Sequence, residues 1–354
     1  MGTFLYIPWF KVGEWPVPLT WAIGVVLGLC ALAAIREKWR PQAVSTGTLA
    51  LVAGAAAWWA GFETVPVQGF GVLVAAGVIL GTRLAEYQAK QWGIHPAYVA
   101  DFATHVVVIG LISCYILNGV FYETDTLLEI LSDPTLIFKR WLGLSSFGGF
   151  IGAIFGLWVW KKRRGGLPTM HLADCAAFAF PLGWIFGRTG CFVVHDHPGS
   201  ETTFFLGVEN YYEQGVVRHD LGLYEVIYAV VAMSIFWSLR NMKNRPTGLF
   251  IALLPLMYVP IRFGLDFLRA TDLSSSDVRW WGMTPAQYAA LGFFVFSIWF
   301  LRKVRRDGVL PVPEKLQWPP VEEKKPEPTG KPKKKKRKKK PADADADAPT
   351  DAAA

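Results

Sequence analysis

Nine runs of mainly apolar residues punctuate this 354-residue chain, at 18–35, 48–62, 67–81, 99–121, 142–160, 172–191, 223–239, 247–267 and 285–301. A helix crossing a hydrocarbon core about 30 Å thick needs about 20 such residues, with about 17–25 tolerated. Most of the runs meet that length, and the second and third, shorter and rich in Gly and Ala, are also compatible with a re-entrant hairpin. Hydrophobic residues make up 52% of the chain and charged residues 18%, too few to cover several water-facing globules. The expectation is an all-α, polytopic membrane bundle over residues 1–313. Met1 to Pro18 lacks a basic stretch followed by an apolar run and a cleavage site, so the first run is expected to remain in the mature protein.

Orientation follows from where Lys and Arg collect, because cytoplasmic loops retain them. Arg36, Lys38 and Arg40 follow the first run, Arg83 and Lys90 the third, Lys161 to Arg164 the fifth, Arg240, Lys243 and Arg245 the seventh, and Arg302 to Arg306 the ninth. The intervening loops are acidic or nearly free of cations, with Lys139 and Arg140 the exception. The amino terminus is expected outside and the carboxyl terminus in the cytosol.

The net charge of +8 divides in two. From Glu314 onward there are 12 Lys and Arg against 8 Asp and Glu, so the last 41 residues carry half of it and the body is only mildly basic. A nucleic-acid partner is therefore not expected. Residues 314–354 are Pro, Lys and Asp/Ala low complexity and read as a disordered cytosolic tail. The eight cations from Lys333 to Lys340, each worth about 1 kcal/mol near an anionic leaflet, point to an anionic membrane surface, the alternatives being a solvated tail or another polyanion. Cys30, Cys114, Cys175 and Cys191 lie far apart, with no CxxC spacing and no disulfide framework.

Charges inside spanning runs are costly and mark functional candidates. Asp174 lies in the sixth run, Arg188 near its end, and His195, Asp196 and His197 just beyond it; Arg262, Asp266 and Arg269 lie late in the eighth or just past it. Asp101 and His105, four apart, read as a local pair, and Arg262 with Asp266 is open to the same reading. Collected at one end of the bundle, the arginines would form a cationic pocket suited to a phospholipid headgroup, since guanidinium presents a planar fork of donors to phosphate. His195 and His197 could move protons there or be simple loop residues. As a metal site His-x-His offers only two ligands with Asp196 between them, so neither metal nor cofactor is expected. Gly148, Gly152 and Gly156 form a helix-packing face, or, with Gly149, a backbone that a ligand can approach closely.

Taken together, these motifs resemble the bacterial prolipoprotein diacylglyceryl transferase family. Gly187-Arg188-Thr189-Gly190-Cys191-Phe192, continuing to Asp196 and Gly199, is similar to its G-R-x-G-N-F-x-N-x-E-x-x-G signature. Residues 145–152 resemble its H-G-G motif, His219, Leu223, Tyr224 and Glu225 its H-P-x-x-L-Y-E, and Arg262, Phe263, Asp266 and Arg269 its R-F-x-x-E-x-x-R. The resemblance implies seven membrane helices in the inner membrane, here with an added pair or hairpin at about 45–85. It also implies transfer of a diacylglyceryl group from phosphatidylglycerol to the lipobox cysteine thiol of a prolipoprotein, releasing glycerol 1-phosphate. Arg188 would hold the lipid phosphate, Arg262 would stabilise the departing glycerol phosphate, Asp266 would orient it, and Trp21 falls near the family's first-helix Tyr. Gly148, Gly149, Gly190, Gly199, Tyr224 and Arg269 would help line the lipid site.

The chain departs from the pattern at several positions. Phe147 stands where the family has the His of H-G-G, Cys191 and Val194 where it has Asn, and Asp196 and Asp266 where it has Glu. His195 or His197 would then supply the missing base. The alternatives are a paralogue using the same lipid donor with another acceptor, and a non-catalytic lipid-binding or translocating protein. A channel or carrier is disfavoured, since no internal repeat or paired broken helices are visible.

Overall fold

The computed structural model describes residues 15–34, parts of 47–63, 64–133, 136, 143–209, 215–273 and 279–319. The tail expected from Glu314 is corrected at its start, because Leu316 is fully buried and its carbonyl accepts from the His95 N–H; residues 320–354 lie outside the described ones, as do Lys139, Arg140 and about half of the second apolar run. In order along the chain come β1 (Trp15–Pro18), α1 (Leu19–Ala34), β2 (Thr64–Val67), α2 (Gly69–Gln91), α3 (Pro96–Phe121), the short α4 (Thr124–Ser132), α5 (Ser146–Arg163) and α6 (Met170–Val194). After them come β3 (Pro198–Glu201), β4 (Val208–Glu209), β5 (Val217–Asp220), α7 (Leu221–Leu239), α8 (Leu249–Leu265) and α9 (Pro285–Asp307). Among the described residues, five helices are both long and apolar enough to cross a membrane: α2, α3, α6, α7 and α8 extended through Leu268. Strand β1 pairs antiparallel with β2, and β5 lies between β3 and β4 in a second small sheet.

The third apolar run is no half-crossing. It is the 23-residue α2, ten residues longer at its carboxyl end than the apolar stretch. Arg83 and Glu86 pair at 3.0 Å on its surface and so continue the helix beyond the apolar residues. Gly93, at φ +69, ends it.

In lipid, helices gain little from burying apolar groups against each other, so close association depends on small residues that let backbones meet. A Cβ on Gly77 of α2 would stand 2.7 Å from the Gly183 carbonyl oxygen of α6, so those two helices cross backbone to backbone. On α5, a Cβ at Gly148, Gly152 or Gly156 would come within 2.5–2.8 Å of Ser113 or His105 of α3. A Cβ at Gly149 would meet Cys114 Sγ at 2.7 Å. The four glycines are thus a packing face, and ligand approach is not what they provide. Large apolar side chains including Ile79, Ile112, Ile154, Val231 and Val295 face outward from five different helices. A soluble monomer does not expose apolar patches of that extent.

One end of the bundle is basic and clasped. Asp174, 1% exposed, takes Arg245 on one oxygen and the backbone N–H groups of Phe250 (2.7 Å) and Ile251 (3.3 Å) on the other, holding the start of α8 to α6. Arg245 stacks 3.7 Å over Trp92, which is in turn stacked on Phe250. Asp101 accepts from Trp160 (2.7 Å) and pairs with Arg164 (2.8 Å), while His105 Nδ1 sits 2.8 Å from the Asp101 carbonyl and 3.7 Å from its carboxylate. The local Asp101–His105 pair is therefore present, within a larger tie to α5. Asp174, a functional candidate by its position in an apolar run, is a structural clasp remote in the fold from the groups described next.

Candidate active site

The other end is assembled from the end of α6, the β3–β5 sheet, the start of α7, the end of α8 and the start of α9. Helix α6 brings Arg188 and Cys191 one turn apart. It ends at His195, which adopts the left-handed conformation (φ 46) and turns the chain back toward the helix. Strand β3 then pairs with β5, setting Pro198 opposite Asp220. A Cβ on Gly199 would lie 2.6–2.8 Å from His219 and from the Leu268 carbonyl, and Gly199 bridges to Arg269. Gly199 and Arg269 thereby join three segments that the sequence keeps far apart. Gly190 is a contact glycine of the same kind, since a Cβ there would meet the Phe70 ring at 2.8 Å.

Glu225 of α7, fully buried, occupies the centre. Its Oε2 receives Arg188 Nε at 2.8 Å and the Tyr258 hydroxyl at 3.2 Å, and its Oε1 receives Arg262 Nη1 at 3.3 Å. Arg262 also reaches Asp266 at 3.0 Å, so the intrahelical pair expected from the sequence is present and is half of a bridge. Asp266 receives the Thr284 hydroxyl at 2.8 Å, while the same hydroxyl oxygen accepts from the Gln287 backbone N–H to cap α9. Arg279 donates to the Asp266 carbonyl at 2.9 Å. Two guanidinium groups from different helices are thus held at a fixed spacing by one carboxylate, and each has five N–H donors, more than Glu225 engages.

The two loop histidines have different surroundings. His195 Nδ1 meets Asp220 Oδ2 at 2.5 Å, while Asp220 Oδ1 accepts from the Leu223 N–H and caps α7. His197 lies 3.7 Å from Asp196, and Cys191 Sγ accepts from Arg188 at 3.7 Å. Donor atoms of Cys191, Asp196 and His197 all fall within 4.8 Å of one another. Burial, and after it the charges of Arg188, Arg269 and Arg262, push His197 down to about 3, so it is a neutral imidazole at working pH. Burial pushes the Asp196 carboxyl up, with Arg188 opposing.

Arg188, Arg262, Asp266, Asp196, His197 and Arg269 are thus brought together. Tyr224 lies beside them, its hydroxyl 2.6 Å from His219 Nδ1. Trp21 lies near the start of α1 and is 72% exposed. The sequence reading passed over Glu225 as a site residue although it stands in an apolar run, the same signal that singled out Asp174. Tyr258 and Thr284 gave no such signal, since an isolated hydroxyl in an apolar run is common.

A sequence-family model described as prolipoprotein diacylglyceryl transferase matches residues 59–302. A phosphatidylglycerol–prolipoprotein diacylglyceryl transferase of Nitratidesulfovibrio vulgaris (strain DP4) is 34% identical over 238 residues, covering 66% of this chain and 86% of that protein. A protein of the same name from Bacillus mycoides (strain KBAB4) is 31% identical over 253 residues, covering 69% of this chain and 90% of its own length.

Proposed function

The chain belongs to the prolipoprotein diacylglyceryl transferase family, and from that premise we propose that it transfers the diacylglyceryl group of phosphatidylglycerol to the lipobox cysteine thiol of a prolipoprotein. It is a multi-pass protein of the bacterial inner membrane. The observation that carries the reading is the pair Arg188 and Arg262, drawn from two helices and fixed on the buried Glu225. Such preorganised cations stabilise negative charge developing on a phosphate without reorganising during the reaction.

In this reading Arg188 holds the lipid phosphate, Arg262 takes up charge on the departing glycerol 1-phosphate, and Asp266, anchored by Thr284, orients Arg262. His195, braced by Asp220, is the proton acceptor that stands in for the family His replaced by Phe147; its Nδ1 contact leaves the imidazole held in one orientation. The added pair or hairpin stays at about 45–85, and a match starting at residue 59 is compatible with the family's first helix lying before it. An added pair leaves the site facing outside and the basic, clasped end facing the cytosol. The cations from Lys333 to Lys340 would then meet the anionic cytoplasmic leaflet.

The test is glycerol phosphate release by purified protein given phosphatidylglycerol and a lipobox peptide. Peptide-dependent release, lost in Arg188→Ala and lowered in His195→Ala, is the expected result. Release that requires a different acceptor would replace this reading with the paralogue, and lipid binding without release would replace it with a non-catalytic protein.

A further inference from the structure

The chain leaves α8 for the small sheet, where Arg269 bridges to Gly199, and returns to the bundle at Arg279. Both ends of the turn that follows hold one residue. Arg279 Nη2 donates to the Asp266 carbonyl at 2.9 Å, and the Thr284 hydroxyl donates to the Asp266 carboxylate at 2.8 Å. Between these anchors Trp280 and Met283 exchange backbone hydrogen bonds at 2.8 and 3.0 Å. The Tyr288 hydroxyl adds a bond to the Trp280 carbonyl at 2.8 Å, and Arg279 Nη1 reaches the Gly282 carbonyl at 3.4 Å. A turn tied at this many points presents two indole rings to the outside, Trp280 at 60% exposure and Trp281 at 96%.

Trp281 also stands at φ 48, in the left-handed region where a bulky residue is an outlier. Strain of this kind persists where the surroundings impose it, and it gathers at functional positions. At such exposure the side chain makes almost no contact within the protein that would offset the strain. A membrane interface offsets it, because an indole ring has an apolar body and a polar tip and settles at headgroup level. The turn is placed for this: the apolar span of α8 ends at Leu268 and α9 begins at Pro285, so residues 280–283 stand at the outer ends of both helices. Beside the rings opens a recess of about 700 Å³, lined by Arg279, Trp280, Trp281, Pro285 and Tyr288. Aromatic walls next to a guanidinium suit the level where acyl chains give way to phosphate. A peptide fits less well, because Trp280 and Met283 spend their backbone groups on each other and leave no strand edge to pair with.

We propose that the Trp280–Trp281 turn is seated in the outer-leaflet interface and thereby fixes the depth at which Arg262 and Asp266 meet a lipid phosphate. The seating stands on the turn and the membrane spans alone, whereas its consequence for turnover rests on the transferase reading above. The link from interface to site is short. Arg279 and Thr284 flank the two rings in sequence, both hold Asp266, and Asp266 holds Arg262 at 3.0 Å. Neither indole is placed against the reacting atoms, so the two are positioning residues. Their loss should show in the KM for lipid, which reports how readily a headgroup reaches the arginines, and should leave kcat nearly unchanged once lipid is in place.

The experiment uses the full chain labelled with 5-fluorotryptophan, in nanodiscs of phosphatidylcholine and phosphatidylglycerol. Loss of a fluorine resonance in Trp280→Phe and in Trp281→Phe assigns the two rings. A nitroxide carried near the head of the lipid acyl chain should broaden both, and a water-soluble nickel chelate should broaden Trp281 at least threefold less than it broadens free 5-fluorotryptophan. The double variant Trp280→Ser with Trp281→Ser should raise the KM for phosphatidylglycerol, read as its mole fraction in the disc, at least threefold with kcat within twofold. Trp281→Tyr should stay near wild type. Trp281→Gly, which suits the backbone, should melt no lower than wild type and still raise KM. Rings broadened by the chelate like the free amino acid and untouched by the lipid nitroxide overturn the seating. Rings shielded only when a lipobox peptide is added overturn it too, and make the turn a peptide contact. Seating with KM unchanged in the double variant overturns the depth-setting role. Seating in a chain that releases no glycerol phosphate from any disc upholds the interface contact and overturns the transferase reading.

Discussion

Glu225 receives Arg188 on one carboxylate oxygen, at 2.8 Å, and Arg262 on the other, at 3.3 Å. The carboxylate is fully buried, so its charge is tolerated only because two cations and the Tyr258 hydroxyl surround it. Removing one partner of such a buried set costs about 3–5 kcal/mol, because the charges left behind are uncompensated. Glu225→Ala should therefore fail to fold stably. Glu225→Gln keeps the shape and loses the charge that fixes the arginine spacing. It should remain folded and lose about 10²-fold in kcat/KM, the scale of losing one preorganised donor. Thermal unfolding with glycerol phosphate release measures both, and near-normal turnover in Glu225→Gln would show that the arginines hold their places without it.

Asp174 makes the opposite prediction. Its carboxylate joins α6 to the start of α8 at the basic end, through Arg245 and two backbone N–H groups. Asp174→Ala leaves Arg245 without its buried partner and should cost about 3–5 kcal/mol of stability. The fraction that folds should turn over normally, because no atom of the site depends on that clasp. A stable Asp174→Ala variant with lost activity would assign Asp174 to the chemistry instead.

Both residues carried the same sequence signal, a charge inside an apolar run, and this explains what was legible. Length and apolarity located α3, α6, α7 and α8 closely, because a helix in hydrocarbon must satisfy its own backbone. They misjudged α2, whose last turns carry paired charges that end the apolar run without ending the helix. The motif residues Arg188, Arg262 and Asp266 were legible because charge in such runs is rare. Their division into partners was not, since the bridge from Arg188 to Glu225 spans 37 residues and depends on how α6 and α7 cross. The pairing of His195 with Asp220 was equally hidden, being set by the β3–β5 register.

The α3–α5 contact gives a test of packing alone. A Cβ at Gly152 would lie 2.5 Å from Ser113 Cβ and 2.9 Å from Gly110 Cα, and neither neighbour is a flexible side-chain end. Gly152→Val should cost about 1–3 kcal/mol or more through overpacking. Gly292→Ala on α9, where nothing lies within 4 Å, should be neutral or slightly stabilising through helix propensity. Thermal unfolding in one lipid composition compares them, and equal melting points would mean that the two helices part more easily than their geometry implies.

Arg218 and Asp272 set the acid limit of the tie between β5 and the segment after α8. Arg218, 3% exposed on β5, donates to both oxygens of Asp272, at 3.1 and 2.6 Å, and to the Gly199 carbonyl, tying the segment after α8 to the small sheet. Hydrogen bonding from Arg218 holds the Asp272 carboxyl below its usual value of 3.8. A carboxyl whose folded pKa is depressed binds protons more readily when unfolded, so its stabilising contribution is complete above about pH 4–5 and fades as pH falls through the folded value. The tie should therefore be indifferent to pH between 6 and 8 and loosen below about 3.8. Hydrogen exchange of residues 266–273 should rise over that acid range in the wild type. Asp272→Asn, which keeps an acceptor and loses the charge, should exchange faster already at pH 7 and show a weaker acid dependence. Identical exchange in variant and wild type at pH 7 would remove Asp272 from the account and leave Arg218 held by Gly199 and its other neighbours alone.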